Sequence, residues 1–310
     1  MADYICIDGG TTNTRVRLVR NRQIMDMIQL GIGVTAANDD MAAFKNQLKE
    51  AIDALLARNA LTASSITRIL TSGMITSDLG LYPLAHGLLP AGIQELHRDA
   101  EEVLFPEISS IPFVFIRGLR TNERTVEAAD VMRGEETELM GIGSREACTY
   151  VLPGSHTKII FTDEDGRIVD FFTALTGEMV YSLASHTILR KSISLENTEL
   201  DEVSLTAGYD YCHREGLNKA LFKVRVADTI CGKKQAELYS FFLGAILAGD
   251  VDAILKKAQR KIVISGRKQL KDALYLLLKA NSNLEIVCLT PDETDASVAL
   301  GAIKIYEYEG

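Results

Sequence analysis

The chain has 310 residues, of which 47% are hydrophobic and 24% charged, and its formal net charge is −9. This length is enough for one large domain or two medium ones with a sizeable core. The acidic balance argues against binding to nucleic acid or to a membrane surface, since both require a basic face. No apolar run reaches the roughly 18 residues of a membrane span, and the N-terminus enters a strand directly, without a signal-peptide pattern.

The five cysteines are scattered without a CxxC spacing, and the five histidines show no metal-ligand spacing. Such cysteine usage is typical of reduced thiols in the cytosol rather than of a disulfide framework or a zinc site. We therefore expect a cytoplasmic protein with no tightly held transition metal.

The first half of the chain predicts a strand meander followed by alternating helices and strands. Strands are expected over 4–8, 14–20 and 23–31, and the two close turns between them make them antiparallel neighbours. The later predictions are a helix over 39–58, a strand over 67–73, a loop over 74–93, a helix over 92–104, a strand over 112–118 and a helix over 134–147.

The same order of elements begins again near residue 149. The segment TYVLPGSHTKIIFTDEDGRIVDFF (149–172) predicts three strands joined by two glycine turns. Further predictions are helices over 177–191, 199–221 and 233–257, a strand over 261–266, a helix over 267–281, a strand over 284–289 and a C-terminal helix over 293–309. Two halves of this kind indicate a duplicated α/β fold, in which ligands usually bind in the crevice between the halves.

The turn DGGTTN at 8–13 allows two interpretations. Two glycines permit a plain hairpin turn, or they let the backbone approach a phosphate that threonine hydroxyls and amides can hold. In the second interpretation Asp8 would hold Mg²⁺, directly or through water. The second half presents a comparable turn, PGSHTK at 153–158. Two such turns facing each other would clamp a polyphosphate from both sides.

Four segments resemble the 2-dehydro-3-deoxygalactonokinase family, the sugar-acid kinases of the actin-like ATPase superfamily. They are DGGTTNTR (8–15), ADVMRGEETELMG (129–141), LPGSHTKII (152–160) and FTALTGEMVYSLASHTIL (172–189). The resemblance covers nearly the whole chain, with the motifs in the family's order. One departure is Gly9, where the family usually has an aromatic residue after the first acid, and the chain contains no tryptophan.

This resemblance implies a two-lobed actin-like ATPase (ribonuclease H-like) fold of the α/β class, with a duplicated mixed sheet and a cleft between the lobes. The expected N-terminal lobe, 1–140, carries the first phosphate loop and the sugar-acid site. The expected C-terminal lobe, 141–310, carries the second phosphate loop and the adenosine site. Its C-terminal helix packs near the second sheet or, alternatively, returns to the hinge.

The resemblance also implies that the chain uses ATP and Mg²⁺. Asp8 would be the metal-associated acid of the first phosphate loop. The other implied phosphate-binding residues are Gly10, Thr11, Thr12, Asn13, Gly154, Ser155, His156, Thr157 and Lys158. Gly266, in ISGRKQL, resembles the adenosine-side turn of the superfamily, and the alternative for it is an ordinary strand–helix connection.

Transfer of a phosphoryl group to a sugar hydroxyl needs alignment, charge neutralisation and an acceptor for the leaving proton. In related sugar kinases that acceptor is a carboxylate at the start of a helix before the second phosphate loop. Glu135 and Asp130 both fit this position. Glu135 is preferred, because it follows a glycine at a helix N-terminus whose dipole keeps it ionised. The alternative roles are a helix-start acid for Glu135 and an N-cap for Asp130.

The implied substrate is a 2-keto-3-deoxy hexonate, whose carboxylate calls for a bidentate guanidinium. Four arginines beside predicted strand ends or motifs are candidates, namely Arg15, Arg117, Arg120 and Arg133. Any one of them could instead be an ordinary surface charge. Glu178 is a candidate for binding the sugar hydroxyls, with a helix-start acid as the alternative.

The function expected from these residues is ATP-dependent phosphorylation of 2-dehydro-3-deoxy-D-galactonate to its 6-phosphate. Two alternatives stay open: a kinase for another such acid, for instance the gluconate epimer, and a sugar-binding regulator of the same fold that lacks turnover. The expected partners are the sugar acid and ATP, with neither nucleic acid nor membrane, and a homo-oligomer is compatible with the sequence. Because Asp8, Asp130 and Glu135 are all present, the regulator ranks last.

Overall fold

The structure is a computed structural model that describes residues 2–34, 40–143, 145–196 and 199–310. In the first part of the chain the elements are β1 (Asp3–Gly9), β2 (Thr14–Arg20), β3 (Gln23–Leu30), α1 (Met41–Arg58), β4 (Arg68–Gly73), β5 (Gly87–Leu88), α2 (Ile93–Arg98), β6 (Glu101–Val103), β7 (Phe113–Phe115), β8 (Leu119–Arg120), β9 (Val131–Met132) and α3 (Glu135–Ile142).

In the rest of the chain the elements are β10 (Thr149–Leu152), β11 (Thr157–Thr162), β12 (Ile168–Ala174), α4 (Thr176–His186), α5 (Glu202–Glu215), α6 (Leu217–Thr229), α7 (Gln235–Lys257), β13 (Lys261–Ile264), α8 (Lys268–Asn281), β14 (Glu285–Cys288) and α9 (Pro291–Tyr306). Short 3₁₀ turns occur at Ala63–Ser65, Met74–Thr76 and Ile188–Lys191.

Both predicted strand meanders are confirmed, as β1–β3 and as β10–β12. The helix predicted over 92–104 ends at Arg98, because residues 101–103 instead pair as a strand with the edge of β7. The helix predicted over 199–221 is two helices, since Gly216 has a φ of +86° that ends α5. Residues 39 and 144, which belong to two other predicted helices, lie outside the described ranges.

The first sheet has the strand order β3-β2-β1-β4-β7-β6. Strand β1 pairs antiparallel with β2 and parallel with β4, and β4 pairs parallel with β7. The carboxyl ends of β1, β4 and β7 therefore lie at one edge of this sheet. Helix α1 packs on one face, where its Phe44, Leu48 and Ile52 are buried in a core with the alternate residues of β1 and β2.

The second sheet repeats this topology with the order β12-β11-β10-β13-β14. Here β10 pairs antiparallel with β11 and parallel with β13, which pairs parallel with β14. The correspondence confirms the predicted duplicated α/β fold with mixed sheets. It also shows that the two meanders belong to separate sheets.

The chain divides into two compact units. The first contains Met1–Glu146, Thr162–Asp170 and Pro291–Gly310, and the second contains Ala147–Phe161 and Phe171–Thr290. The sequence-based division at residue 140 assigned the C-terminal segment to the second half, with a return of its helix as the alternative. In the structure α9 groups with the first unit. The functional roles assigned to 1–140 and 141–310 stay predictions.

Helix α9 packs directly on α3 within the first unit, because glycines bring the two backbones together. A Cβ atom at Gly301 would lie 1.8 Å from the carbonyl oxygen of Thr137, and one at Gly141 would lie 1.8 Å from that of Ser297. Lys304 Nζ donates to the carbonyls of Met140 and Gly141, at 3.1 and 3.0 Å, near the end of α3. The C-terminal helix thereby supports the helix that carries the RGEE motif.

The long helix α7 departs from the expectation that no segment is long and apolar enough for a membrane span. By length and composition Gln235–Lys257 meets that criterion, but 67% of its apolar stretch is buried in the protein. Leu238, Phe242 and Leu247 are among its residues in the core of the second unit. This helix therefore has the burial of a core helix in a globular unit.

Candidate functional site

Asp8 is the next-to-last residue of β1, close to the turn, and lies opposite Arg15 in the antiparallel register with β2. Its Oδ2 accepts a hydrogen bond from Arg15 Nη1 at 3.3 Å and lies 3.9 Å from Arg17 Nη1. Arg17 is buried and Arg15 is half exposed. Burial lowers the pKa of Arg17, while the negative charge of Asp8 opposes that shift. Asp8 is therefore a carboxylate at the sheet edge whose charge is balanced by two guanidinium groups.

Glycine backbones converge beside this carboxylate. Gly73, which ends β4 opposite Gly9, has a φ of +85°, and a Cβ there would lie 2.6 Å from Gly9 O and 3.5 Å from Asp8 Oδ1. A Cβ at Gly134 would in turn lie 3.2 Å from Gly73 Cα. The start of α3 is thus brought next to the strand ends that carry Asp8, and with it the predicted base Glu135.

The two glutamates of RGEE hold the turn that precedes α3. Glu135 Oε2 accepts a hydrogen bond from Arg133 N at 3.0 Å, and both carboxyl oxygens of Glu136 accept from Gly134 N at 2.9 Å. Glu136 is fully buried and also accepts from Thr137 Oγ1 at 3.1 Å. Burial, followed by the neighbouring Glu135, raises the pKa of Glu136 to about 8. Glu135 is partly exposed.

The DGGTTN turn is a closed hairpin turn with exposed hydroxyls. Gly10 N donates to Asn13 O at 2.9 Å, and Asn13 Nδ2 donates to Thr12 Oγ1 at 3.1 Å. Thr11 and Thr12 are exposed, so their side chains are accessible to a ligand. This geometry is compatible both with a phosphate loop and with the plain hairpin turn.

In the second unit the PGSHTK turn adjoins the TGE segment at the start of α4. Glu178 N donates to Ser155 O at 3.0 Å, and Glu178 Oε1 lies 3.1 Å from His156 Nε2. The backbones of the PGSHTK turn and the TGE segment are in close contact, since a Cβ at Gly177 would lie 2.0 Å from Gly154 O. The structure therefore brings together Gly154, Ser155, His156 and Glu178.

The turn predicted for adenosine reaches the same place. Gly266 has a φ of +117°, and a Cβ there would lie 2.4 Å from Pro153 O. Arg267 N donates to that same carbonyl at 3.3 Å. Gly266 therefore corresponds to Gly73. Gly73 ends β4, the parallel neighbour of β1, and Gly266 comes just after β13, the parallel neighbour of β10.

Two other residues of the second turn point into the protein. Lys158 is buried, and its Nζ donates to Thr173 Oγ1 at 2.6 Å and lies 5.9 Å from the ring centre of Phe171. Thr157 is also buried, and its Oγ1 has no hydrogen-bond partner among the described residues.

Three of the four candidate arginines bind protein groups away from Asp8. Arg133 Nη1 donates to Thr76 O at 2.8 Å, and its Nη2 donates to Leu84 O at 2.8 Å. Arg120 Nη1 donates to Thr121 O at 3.0 Å. Arg117 lies on the segment after β7, where its Nε donates to the carbonyl of residue 99 at 2.9 Å. Arg15 is the only one of the four recorded in an ion pair with Asp8.

Asp130 directly precedes β9, a strand of the small β5-β8-β9 sheet, and is not part of α3. Its backbone N donates to Thr121 Oγ1 at 2.9 Å, and its Oδ1 accepts from Val131 N at 2.7 Å. The side chain thus caps the start of β9. The alternative for Asp130, a helix N-cap, is wrong, because the N-cap of α3 is Gly134.

Within the described ranges, no group of three or more His, Cys, Asp or Glu side chains is arranged to hold a metal ion. Asp8 is accompanied by Ser72 on the neighbouring strand, whose buried Oγ has no hydrogen-bond partner among the described residues. Mg²⁺ is usually bound by one or two carboxylates together with substrate phosphates. A single carboxylate with a nearby hydroxyl therefore fits a metal ion that arrives with a nucleotide.

Sequence reasoning missed Ser72, Gly73 and Glu136. A signal for the first two was present, because the strand-end segment ILTSG (69–73) is repeated as IVISG (262–266) in the second half. The adenosine-turn prediction used the second copy and left the first unused. Nothing in the sequence distinguished buried Glu136 from partly exposed Glu135.

Most of the chain is similar in sequence to proteins named 2-dehydro-3-deoxygalactonokinase, and nearly all of it is similar in fold to one. A 2-dehydro-3-deoxygalactonokinase from Escherichia coli (strain K12) is 30% identical over 255 residues, which cover 80% of this chain and 78% of that protein. A crystal structure of a Sinorhizobium meliloti protein given the same kinase name superposes with a TM-score of 0.79 at 22% identity, covering 98% of this chain and 100% of that one.

A more distant structural relative shares the fold. It is the activator of the 2-hydroxyisocaproyl-CoA dehydratase from Clostridium difficile with bound ADPNP, with a TM-score of 0.55 at 12% identity, covering 98% of this chain and 95% of that one. These likenesses agree with the actin-like ATPase fold expected from the motifs. The family model described as 2-keto-3-deoxy-galactonokinase matches residues 8–301. This chain belongs to the 2-keto-3-deoxy-galactonokinase family.

Proposed function

We propose that the protein transfers the γ-phosphoryl group of ATP to 2-dehydro-3-deoxy-D-galactonate and forms the 6-phosphate. The observation that carries this proposal is the contact of three backbones at Asp8, where the ends of β1 and β4 meet the glycine that begins α3. It brings an acid suited to a metal-bound phosphate close to the helix that presents Glu135. Family membership and the E. coli relative support the substrate.

In this proposal the DGGTTN turn and the PGSHTK turn are each a phosphate loop, and Mg²⁺ is held by Asp8 directly or through water. The metal ion would neutralise the charge of the transferred phosphoryl group. The exposed hydroxyls of Thr11 and Thr12 support the first turn as a phosphate loop. The shared neighbourhood of Gly154, Gly177 and Gly266 supports the second unit as the nucleotide side.

Glu135 would accept the proton of the attacking sugar hydroxyl. Its Oε2 is held by the N–H group of Arg133, which restricts the carboxylate while it remains partly exposed. The N-terminus of α3 favours the ionised form of an acid at this position. Asp130 is the second candidate, and its capping contact with Val131 weakens that assignment.

The test is ADP formation, measured by a coupled assay with a panel of 2-keto-3-deoxy sugar acids. We expect the galactonate compound to have the highest kcat/KM. A higher value for the gluconate epimer would reassign the substrate. If no acid of the panel stimulates ADP formation while the folded protein still binds one of them, the protein is a sugar-binding regulator.

A further inference from the structure

The first unit contains a cavity of about 360 Å³ beside the short strands β5 and β8. Its size is within the roughly 300–1,000 Å³ of small-molecule sites. The lining combines apolar side chains with cationic groups, and the residues that matter below are His86, Glu95, Arg98, Asp99 and Arg117. None of these residues except Arg117 was a candidate from the sequence.

The cavity lies at the same edge of the first sheet as Asp8. Arg117 follows β7 by two residues, and the parallel strands β1, β4 and β7 end at this edge. Neighbouring strands are about 4.8 Å apart, so the two-strand separation is on the order of 10 Å. Open α/β sheets bind ligands at the carboxyl ends of their parallel strands.

The guanidinium of Arg117 is fixed on one side and available on the other. Its Nε donates to Asp99 O at 2.9 Å, and its Nη2 donates to Glu101 Oε1 at 3.2 Å. Glu101 is itself held by Tyr82, whose hydroxyl donates to Oε2 at 2.9 Å. Nη1 has no partner among the described residues. An arginine oriented in this way loses little conformational freedom when it binds a carboxylate.

The acids of the cavity wall are already paired with other cations. Asp99 accepts two hydrogen bonds from Arg98, at 2.8 and 3.1 Å. Glu95 accepts from Arg167 Nη2 at 3.1 Å and from Gly92 N at 2.8 Å. Glu101 forms an ion pair with Arg117 through Nη2, so Nη1 is the guanidinium nitrogen that a ligand carboxylate would meet.

Arg133 is a neighbour of both the cavity wall and the predicted base. His86, in the cavity wall, has its Nδ1 3.4 Å from Arg133 Nη2. The backbone N of Arg133 donates to Glu135. Arg133 therefore contacts both a residue of the cavity wall and the predicted base. Its guanidinium is committed to Thr76 and Leu84.

We propose that this cavity is the acceptor site and that Arg117 binds the carboxylate of the sugar acid, which makes it the residue that selects acids over uncharged sugars. This inference rests on the proposed function and deepens it. Arg15, Arg120 and Arg133 are assigned other roles by their contacts.

The test compares a 2-keto-3-deoxy hexonate with its uncharged C1 amide as acceptors. For Arg117→Gln we expect kcat/KM for the acid to fall by about 30-fold or more, since a charged partner of a carboxylate is lost. The value for the amide should change by less than about threefold, because no ion pair is lost. The matched control is Arg22→Gln, at an exposed arginine in the β2–β3 turn that pairs with Glu307.

A parallel fall for acid and amide would mean that Arg117 has a structural role, and unchanged values for both would mean that the carboxylate binds elsewhere. Either result overturns the inference. If Arg117→Gln does not fold, Arg117→Lys keeps the charge but loses the planar fork, and calorimetric binding of the acid should be weakened at least fivefold. Wild-type protein that phosphorylates none of the acids would instead refute the proposed function.

Discussion

Glu135 and Asp130 both fit the position of the catalytic carboxylate in the sequence, and their hydrogen bonds distinguish them. The carboxylate of Glu135 is oriented by Arg133 N at the start of a helix, whereas that of Asp130 caps β9 through Val131 N. This difference favours Glu135 as the group that orients the acceptor hydroxyl and takes up its proton late in a loose transition state.

Replacement of Glu135 by glutamine should lower kcat by about 10²-fold or more with little change in the KM for ATP, because general-base catalysis is worth roughly 10²–10⁴ in rate. Asp130→Asn should mainly raise the KM for the sugar acid. Steady-state kinetics of both variants decide the matter. A dead Asp130→Asn with a nearly active Glu135→Gln would reverse the assignment, and two active variants would remove both residues from the role.

Glu136 should make stability depend on pH. Its pKa is about 8 in the folded protein, raised chiefly by burial, and near 4.5 when unfolded. Between these values the unfolded chain loses a proton that the folded chain keeps, so the free energy of unfolding falls as pH rises and changes no further above the folded pKa. Glu136→Gln should remove much of this dependence, which amounts to a few kcal/mol.

Denaturant unfolding of both proteins at pH 5, 6.5 and 8 tests this point. The glutamine variant should gain on the wild type as pH rises. The matched control is Glu50→Gln, at an exposed glutamate of α1. Parallel pH profiles for wild type and Glu136→Gln would show that Glu136 is ionised in the folded protein at neutral pH.

At the scale of elements, α3 is positioned by contacts with α9 and with the end of β4. The α9 contact depends on Gly301, whose hydrogen faces the Thr137 carbonyl. The β4 contact depends on Gly73, which adjoins Gly134. The helix that carries the RGEE acids is therefore held by backbone contacts that admit no larger residue.

Gly301→Ala should destabilise the protein by about 1–3 kcal/mol, because its Cβ would overlap a backbone oxygen that cannot move without separating the helices. Gly249→Ala is the control, since a Cβ at this helical position meets no atom within 4 Å. That change should stabilise by roughly 0.5–1 kcal/mol. Equal effects in chemical denaturation would argue against the close helix contact.

At the scale of the whole molecule, the two sheets repeat one topology, so the turn after β1 corresponds to the turn after β10. Strands β1 and β10 each lead into a turn, and the parallel strand beside each of them ends at a Ser-Gly pair, within β4 in the first sheet and just after β13 in the second. In both sheets the glycine of that pair has a positive φ, and it lies against the end of β1 at Gly9 or against Pro153 directly after β10. We infer that each turn is the phosphate loop of its own unit.

ATP with Mg²⁺ should raise the melting temperature of the whole chain by a few degrees, since ligand at about 100 times its Kd stabilises by roughly 2.7 kcal/mol. Asp8→Asn should lower kcat sharply and lose the extra stabilisation that Mg²⁺ adds to ATP. Asp53→Asn, at an exposed acid paired with Lys49, serves as the control. A folded Asp8→Asn protein with wild-type kcat would refute the role of Asp8.

The sequence by itself determined the elements and the order of the motifs. Alternating apolar residues and glycine turns specify β1–β3 and β10–β12, because these signals are local and have a period of two. The motif order then identified the family, which the comparisons confirmed. A predicted helix boundary was wrong where residues pair with a strand distant in the sequence. Residues 101–103 pair with β7 and therefore do not continue the helix before them.

Only the tertiary structure decided which side chains share a site. Gly73 and Gly134 lie 61 positions apart in numbering yet meet beside Asp8, and no local pattern reports such a contact. In the sequence Arg117 and Arg133 were equal candidates for binding the carboxylate. In the structure Arg117 lines a cavity and has one nitrogen without a partner among the described residues, whereas Arg133 is bound to Thr76 and Leu84. Burial and hydrogen bonding depend on residues remote in the chain, so folding alone distinguishes a structural charge from one available to a ligand.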